Sequence, residues 1–227
     1  MWISLGLLAS ACISAAQIPE SGKVPIVREH LRLREGLLQT RVLALLAAGM
    51  LMSVAHAPLY TFYSIHLVAN GYGKSAVGAL WSLGVMAEIL VFAFMPRLMP
   101  AGSLRNILAL CFALAALRFT LVGWVIALPL VAILAQLLHG ASFGAHHAAS
   151  ITALNRWFPP HQQGTVQSLF GSISYGAGGV IGSVLCGYSW DRYGAAVTYT
   201  GAAVFALSGS LLIWWGLQAD EGSSAAA

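Results

Sequence analysis

The chain has 227 residues, 59% of them hydrophobic and only 8% charged, where a soluble domain carries roughly 25% charged residues. A soluble domain is thereby excluded. No period-2 alternation suggests a barrel, and backbone polar groups in the bilayer must be satisfied within their own segment, which leaves an all-α integral membrane protein. The formal charge of +4 comes from basic residues placed in particular loops, so it speaks of orientation in the membrane and not of nucleic acid.

A spanning helix takes about 20 apolar residues, and on that measure seven segments follow one another at approximately 1–18, 42–68, 76–98, 105–126, 129–154, 165–189 and 196–217. The first is short. Its end (Ser14, Ala15, Ala16) is like a signal-peptide cleavage site, but it lacks a basic n-region. Lys23, Arg28, Arg32, Arg34, Arg41, Arg97, Arg105 and Arg156 fall on one side, Lys74 and Arg192 on the other, and Arg118 within a span. That bias puts the 19–41 loop in the cytoplasm, the N-terminus outside and the C-terminus inside. A cleaved signal peptide would instead export the most basic loop of the chain. The expected organisation is a partial first transmembrane helix (1–18), a cytoplasmic basic linker (19–41), a six-helix bundle (42–217) and a disordered cytoplasmic tail (218–227). Within the linker, Arg28, Arg32 and Glu35 share one helical face and Leu31 and Leu38 another, as in a helix lying on the membrane surface or a link between two bundles, or the basic residues are there only to set the orientation.

Span 42–68 holds His56, Tyr60 and Tyr63 at positions 0, 4 and 7 of one face, together with Pro58, which is expected to kink the helix. The stripe reads either as substrate contact or as helix packing. Span 76–98 carries Glu88 near its middle, where a carboxylate costs about 2.5–3.5 kcal/mol unless paired, protonated or facing water. Span 105–126 carries Arg118, which cannot discard its charge. It needs an anion: Glu88, an anionic substrate, or each in turn.

Span 129–154 contains QLLHGASFGAHHAAS (136–150), with His139, Ser142, Phe143 and His146 at 0, 3, 4 and 7 of one expected face and His147 beside them. We read these groups, with Glu88 and Arg118, as lining one aqueous cavity in the bundle. His139 and His146 are about 10.5 Å apart along a helix axis, too far to chelate one ion, so neither a metal site nor a cofactor is expected. Span 165–189 is glycine-rich, and Gly178 with Gly182, and Ser183 with Gly187, form small-xxx-small pairs that let helix backbones approach. Trp214 and Trp215 end the last span as interfacial anchors. Cys12, Cys111 and Cys186 lie in apolar runs without metal-ligand or CxxC spacing and read as buried small hydrophobes. A faint likeness between KSAVGALWSLG (74–84) and GTVQSLFGSIS (164–174), three spans apart, fits a three-helix repeat.

The stretches HGASFGAHHAASITALNRWFPPHQQGTVQSLFGSISYGAGGVIGSVLCGYSWDRYG (139–194) and TFYSIHLVANGYGKSAVGALWSLGVMAEI (61–89) resemble the C-terminal half of a major facilitator superfamily transporter. The resemblance is to the phenylpropionate permease-like group, and more distantly to lactose permease and nucleoside–proton symporters. It implies the C-terminal six-helix bundle of that fold plus part of helix 6. It also implies an N-terminal six-helix half, on the same or a separate chain, as partner, with the site between the halves. By the same resemblance Glu88 stands at the helix-8 acid, Arg118 at the helix-9 arginine and His139 at the helix-10 histidine that join substrate binding to proton transfer in lactose permease. The Lys-x-x-His-x-x-Glu pattern of that helix is here Gln136, His139, Ser142, so Glu88 or a histidine has to carry the proton.

The expectation is a secondary active transporter, a proton symporter for a small organic solute such as an aromatic or other carboxylic acid, in the inner membrane of a bacterium. Two alternatives come from other classes. GASFG (140–144) is close to the nucleophile loop of rhomboid intramembrane proteases, but no histidine follows His161 to activate Ser142. A half-length chain also fits a non-transporting membrane subunit.

Overall fold

A computed structural model describes residues 29–99 and 103–218, with scattered positions between 6 and 17. Most of span 1–18, the first part of the basic linker and the tail beyond 218 lie outside the described residues. The chain divides into two units, Met1–Arg34 and Glu35–Ala227. Helix α1 (Glu29–Leu37) begins in the first and ends in the second. Within the second unit, Gly36 lies so close to Phe158 that a Cβ would meet its ring at 2.7 Å.

The described elements of the second unit are all helices, joined by short turns. Its elements are α2 (Thr40–Ala69), α3 (Lys74–Leu98), α4 (Leu104–Val125), α5 (Pro129–His139), α6 (Ala145–Trp157), α7 (Pro160–Gly171) and α8 (Gly178–Gly216). Wide π-helical turns, Gly140–Gly144 and Ser172–Ala177, join α5 to α6 and α7 to α8 without a break. α8 is interrupted at Gly194 (φ 78°), a left-handed conformation that favours glycine. That break separates the last two expected spans. Prolines in the first turn of α5 and α7 start those helices where the missing N–H costs nothing. α2 stays helical through Pro58, whose carbonyl oxygen accepts a hydrogen bond from Tyr199 at 3.2 Å.

Apolar length and composition suit membrane crossing for Thr40–Ala69, Lys74–Arg97, Leu104–Val125 and the broken run Pro160–Gly216. α2 packs mainly on α8, α8 also on α4, and α3 on α5 and the first π turn. Small residues set these contacts, because lipid offers no hydrophobic drive for helices to associate. A Cβ at Gly178 would meet Met50 O at 2.8 Å, and one at Gly182 would meet Val54 Cα at 2.8 Å. Gly187 differs from the expectation: it faces open space, since the α2 contact is made one turn and two turns earlier in the helix. Among the cysteines, Cys111 and Cys186 are buried as expected of small hydrophobes, whereas Cys12 is exposed.

Basic residues gather with tryptophans at one end of the bundle. Arg41 lies 5.0 Å from the centre of the Trp157 ring, and Arg105 lies 3.7 Å from that of Trp214. Cation–aromatic pairs of this kind fix the starts of α2 and α4 against the ends of α6 and α8.

Candidate functional site

Four helices meet at one buried arginine. Arg118, on α4, is 1% exposed, and its guanidinium reaches both neighbouring histidines. Nη2–H donates to His56 Nε2 on α2 at 2.7 Å, and Nη1–H donates to His139 Nδ1 at the end of α5. A guanidinium has donors and no acceptor, so both of these ring nitrogens must be bare. The remaining protons are then fixed. His56 Nδ1–H donates to Met52 O at 2.8 Å, and His139 Nε2–H donates to Glu88 Oε1, on α3, at 2.6 Å. The result is a directed chain, Arg118 to neutral His139 to Glu88, with His56 as the second acceptor. Arg118 also lies 4.5 Å from the Phe119 ring centre.

The expected pairing of Arg118 with Glu88 is therefore indirect. A single imidazole, His139, stands between the guanidinium and the carboxyl group. A proton entering the Glu88–His139 pair has one of two effects. On Glu88 it removes the compensating charge; on His139 Nδ1 it sets one donor against another. Either way the hold on Arg118 weakens.

The glycines around this chain bring the helices into reach of one another. A Cβ at Gly140 would lie 2.5 Å from the carbonyl carbon of Ala87, and one at Gly84 would lie 2.5 Å from Gln136 Oε1. Gly140 thus lets the π turn press on the α3 backbone beside Glu88, and Gly84 lets Gln136 and His139 press on α3 one turn earlier.

Above the chain is a hollow of about 330 Å³. Its walls include Ser53, His56, Tyr60, Thr61, Phe143 and Tyr175. Phe143 stacks on His139 (centroids 5.5 Å apart, planes 10° apart) and contacts His56 at 4.9 Å. Tyr60 stacks on Trp81, whose indole N–H donates to Ser64 Oγ at 3.0 Å. Tyr175 and His147 Nδ1 are joined by a 2.7 Å hydrogen bond.

Four residues expected to line the cavity, Tyr63, Ser142, His146 and His147, are not among the walls of the hollow, and His147 is joined to it only through its bond to Tyr175. Tyr63 is fully buried edge-on against Trp81, at 5.5 Å. Ser142 is buried with its hydroxyl donating to His139 O at 3.4 Å, and His146 is buried against Phe112. The π turn is the reason. Its i→i+5 bonding places an extra residue in the turn, which leaves Phe143 at the hollow and Ser142 and His146 buried in the bundle. The face drawn at 100° per residue is thereby split.

Sequence reasoning missed Tyr175 and Trp81. Tyr175 left a signal, being the one aromatic in the small-residue stretch SISYGAGG (172–179). Among the described residues, no three His, Cys, Asp or Glu side chains gather as a metal-binding set.

Residues 3–201 match the MFS_1 like family. The chain belongs to that family of the major facilitator superfamily. Among curated relatives it is 33% identical over 162 residues to a "Probable 3-phenylpropionic acid transporter" of Escherichia coli (strain K12), covering 70% of this chain and 41% of the relative. It is 23% identical over 215 residues to the "Uncharacterized transporter YwbF" of Bacillus subtilis (strain 168), covering 94% of this chain and 53% of the relative. The MFS chain thus spans about half the length of these relatives. Both are named as transporters, not enzymes, and the buried, backbone-bonded Ser142 gives the protease alternative no support.

Proposed function

We propose that this MFS chain is the C-terminal half of a proton symporter for a small carboxylic acid carrying an aromatic ring. The observation that carries the reading is the Glu88–His139–Arg118–His56 chain lying against an aromatic hollow. In the resting arrangement Arg118 is held by two neutral imidazoles and balanced by Glu88. A proton reaching the Glu88–His139 pair loosens that hold, and the substrate carboxylate becomes the anion for Arg118 while Tyr60, Phe143 and Tyr175 take the ring. Proton and substrate each bias the transporter by their differential affinity for its two states. The N-terminal six-helix half would close the hollow from the other side. The bundle would sit in the bacterial inner membrane with the Arg41 and Arg105 end, and the C-terminus, in the cytoplasm.

The test compares 3-phenylpropionate with 3-phenylpropanol, which keeps the ring and lacks the charge. Both are added to the purified complete gene product that contains this chain. The acid is expected to raise the unfolding temperature, by mass action worth about 2.7 kcal/mol at a hundred times Kd, and the alcohol to leave it unchanged. Equal shifts from acid and alcohol would remove the carboxylate from the account.

A further inference from the structure

The chain of polar contacts at Arg118 does not use every buried polar group on the same helix. Continuing from His139 toward Trp157, Ser142, His146 and Ser150 follow at successive turns, and all three are 0–1% exposed. His146 and Ser150, four residues apart within α6, stand about 5–6 Å from one another, a spacing that one water molecule bridges. Both ring nitrogens of His146 and the Ser150 hydroxyl are buried and lack a hydrogen-bond partner among the described residues. Buried polar groups of this kind are nearly always satisfied, by ordered water where protein offers nothing. Around His146 the walls are apolar on the α4 side, where Phe112 meets it edge-on at 5.1 Å. His56 on α2 and His147 beside it are titratable groups within its electrostatic reach. Leu154, one turn beyond Ser150, is fully buried, so the file ends inside the bundle in this conformation.

We propose that Ser142, His146 and Ser150 hold a file of water that carries the coupling proton between the Glu88–His139 pair and the Arg41 end of the bundle, with His146 as its transfer station. This rests on the proton-symport reading above. An imidazole with no acid beside it serves best as a neutral carrier. It accepts the excess proton from a protonated water on its bare nitrogen and releases the proton of its other nitrogen to the next water, so that one proton enters and one leaves. The ring ends neutral in the opposite tautomer and resets by turning over. No net charge stays in the apolar wall beside Phe112. Leu154 is then the plug that keeps the file from opening to the Arg41 end until the helices move.

The experiment uses His146→Gln and His146→Leu in the complete gene product, with labelled 3-phenylpropionate in membrane vesicles. Two rates are read: accumulation driven by an imposed pH gradient, and exchange of internal for external substrate, which needs no net proton passage. Gln offers hydrogen bonds to water but has no second ring nitrogen through which to pass a proton. Leu replaces the unpartnered ring with a well-tolerated apolar side chain. Both variants are expected to lose gradient-driven accumulation by about ten-fold or more and to keep exchange close to the unsubstituted rate. Accumulation by His146→Gln at the original level would overturn the station. So would a parallel fall of accumulation and exchange in both variants, which marks a structural role. Glu88→Gln is run beside them: if it loses accumulation while His146→Gln keeps it, the station alone falls, whereas full accumulation by Glu88→Gln removes the symport reading beneath it.

Discussion

Glu88→Gln is expected to abolish gradient-driven accumulation of 3-phenylpropionate above the level in vesicles without the protein. The amide keeps the carboxylate's shape and can still accept the His139 Nε2–H bond, which spans 2.6 Å in the native chain. What it lacks is a titratable group. A pH difference of one unit is worth about 1.4 kcal/mol, a ten-fold gradient, and the variant has no means to draw on it. Exchange of substrate across the membrane is expected to survive, because Arg118 remains and the hollow is unchanged. Accumulation at the original level would show that the proton enters elsewhere.

Arg118→Met should remove acid binding. The native guanidinium serves two histidines from two of its nitrogens, a fork that a lysine ammonium cannot reproduce. A charge-assisted hydrogen bond contributes about 1.5–3 kcal/mol, so losing the bonds to a carboxylate raises Kd by about a hundred-fold or more. Met fills the space without a charge. The fold should persist, because Glu88 is 22% exposed on its side chain and keeps the His139 bond. Titration of the purified variant with 3-phenylpropionate, followed by its unfolding temperature, separates the two effects. A folded Arg118→Met protein with native affinity would exclude the arginine as the carboxylate partner.

Much of the fold was legible because the membrane restricts it so strongly. Composition alone left a helical bundle, and the spans expected between 42 and 217 fall on helices, with Gly194 dividing the last two. The site was legible in its chemistry and less so in its geometry. One acid and one base within apolar spans implied a relation between Glu88 and Arg118, but no spacing rule could insert His139 between them. That depends on how closely α3 approaches α5, which Gly84 and Gly140 decide through contacts with residues distant in sequence. The histidine face failed for a local reason. A constant 100° per residue assumes α-helical bonding throughout, and GASFG takes the wider π turn. Ser142 and His146 therefore turn inward, and of the residues after His139 on that expected face Phe143 alone lines the hollow. Glycine pairs show a similar limit: Gly182 and Gly187 look alike in sequence, yet Gly182 meets α2 and Gly187 meets open space.

Substrate-driven proton movement is the direct measure of coupling through Glu88. 3-Phenylpropionate is added to lightly buffered, de-energised vesicles carrying the complete gene product, and the external pH is followed beside vesicles carrying Glu88→Gln, which correct for acid crossing the lipid unaided. A transient alkalinisation above that background is expected, rising with the amount of labelled substrate taken up. Uptake through the protein with no pH change beyond the Glu88→Gln background would contradict that coupling.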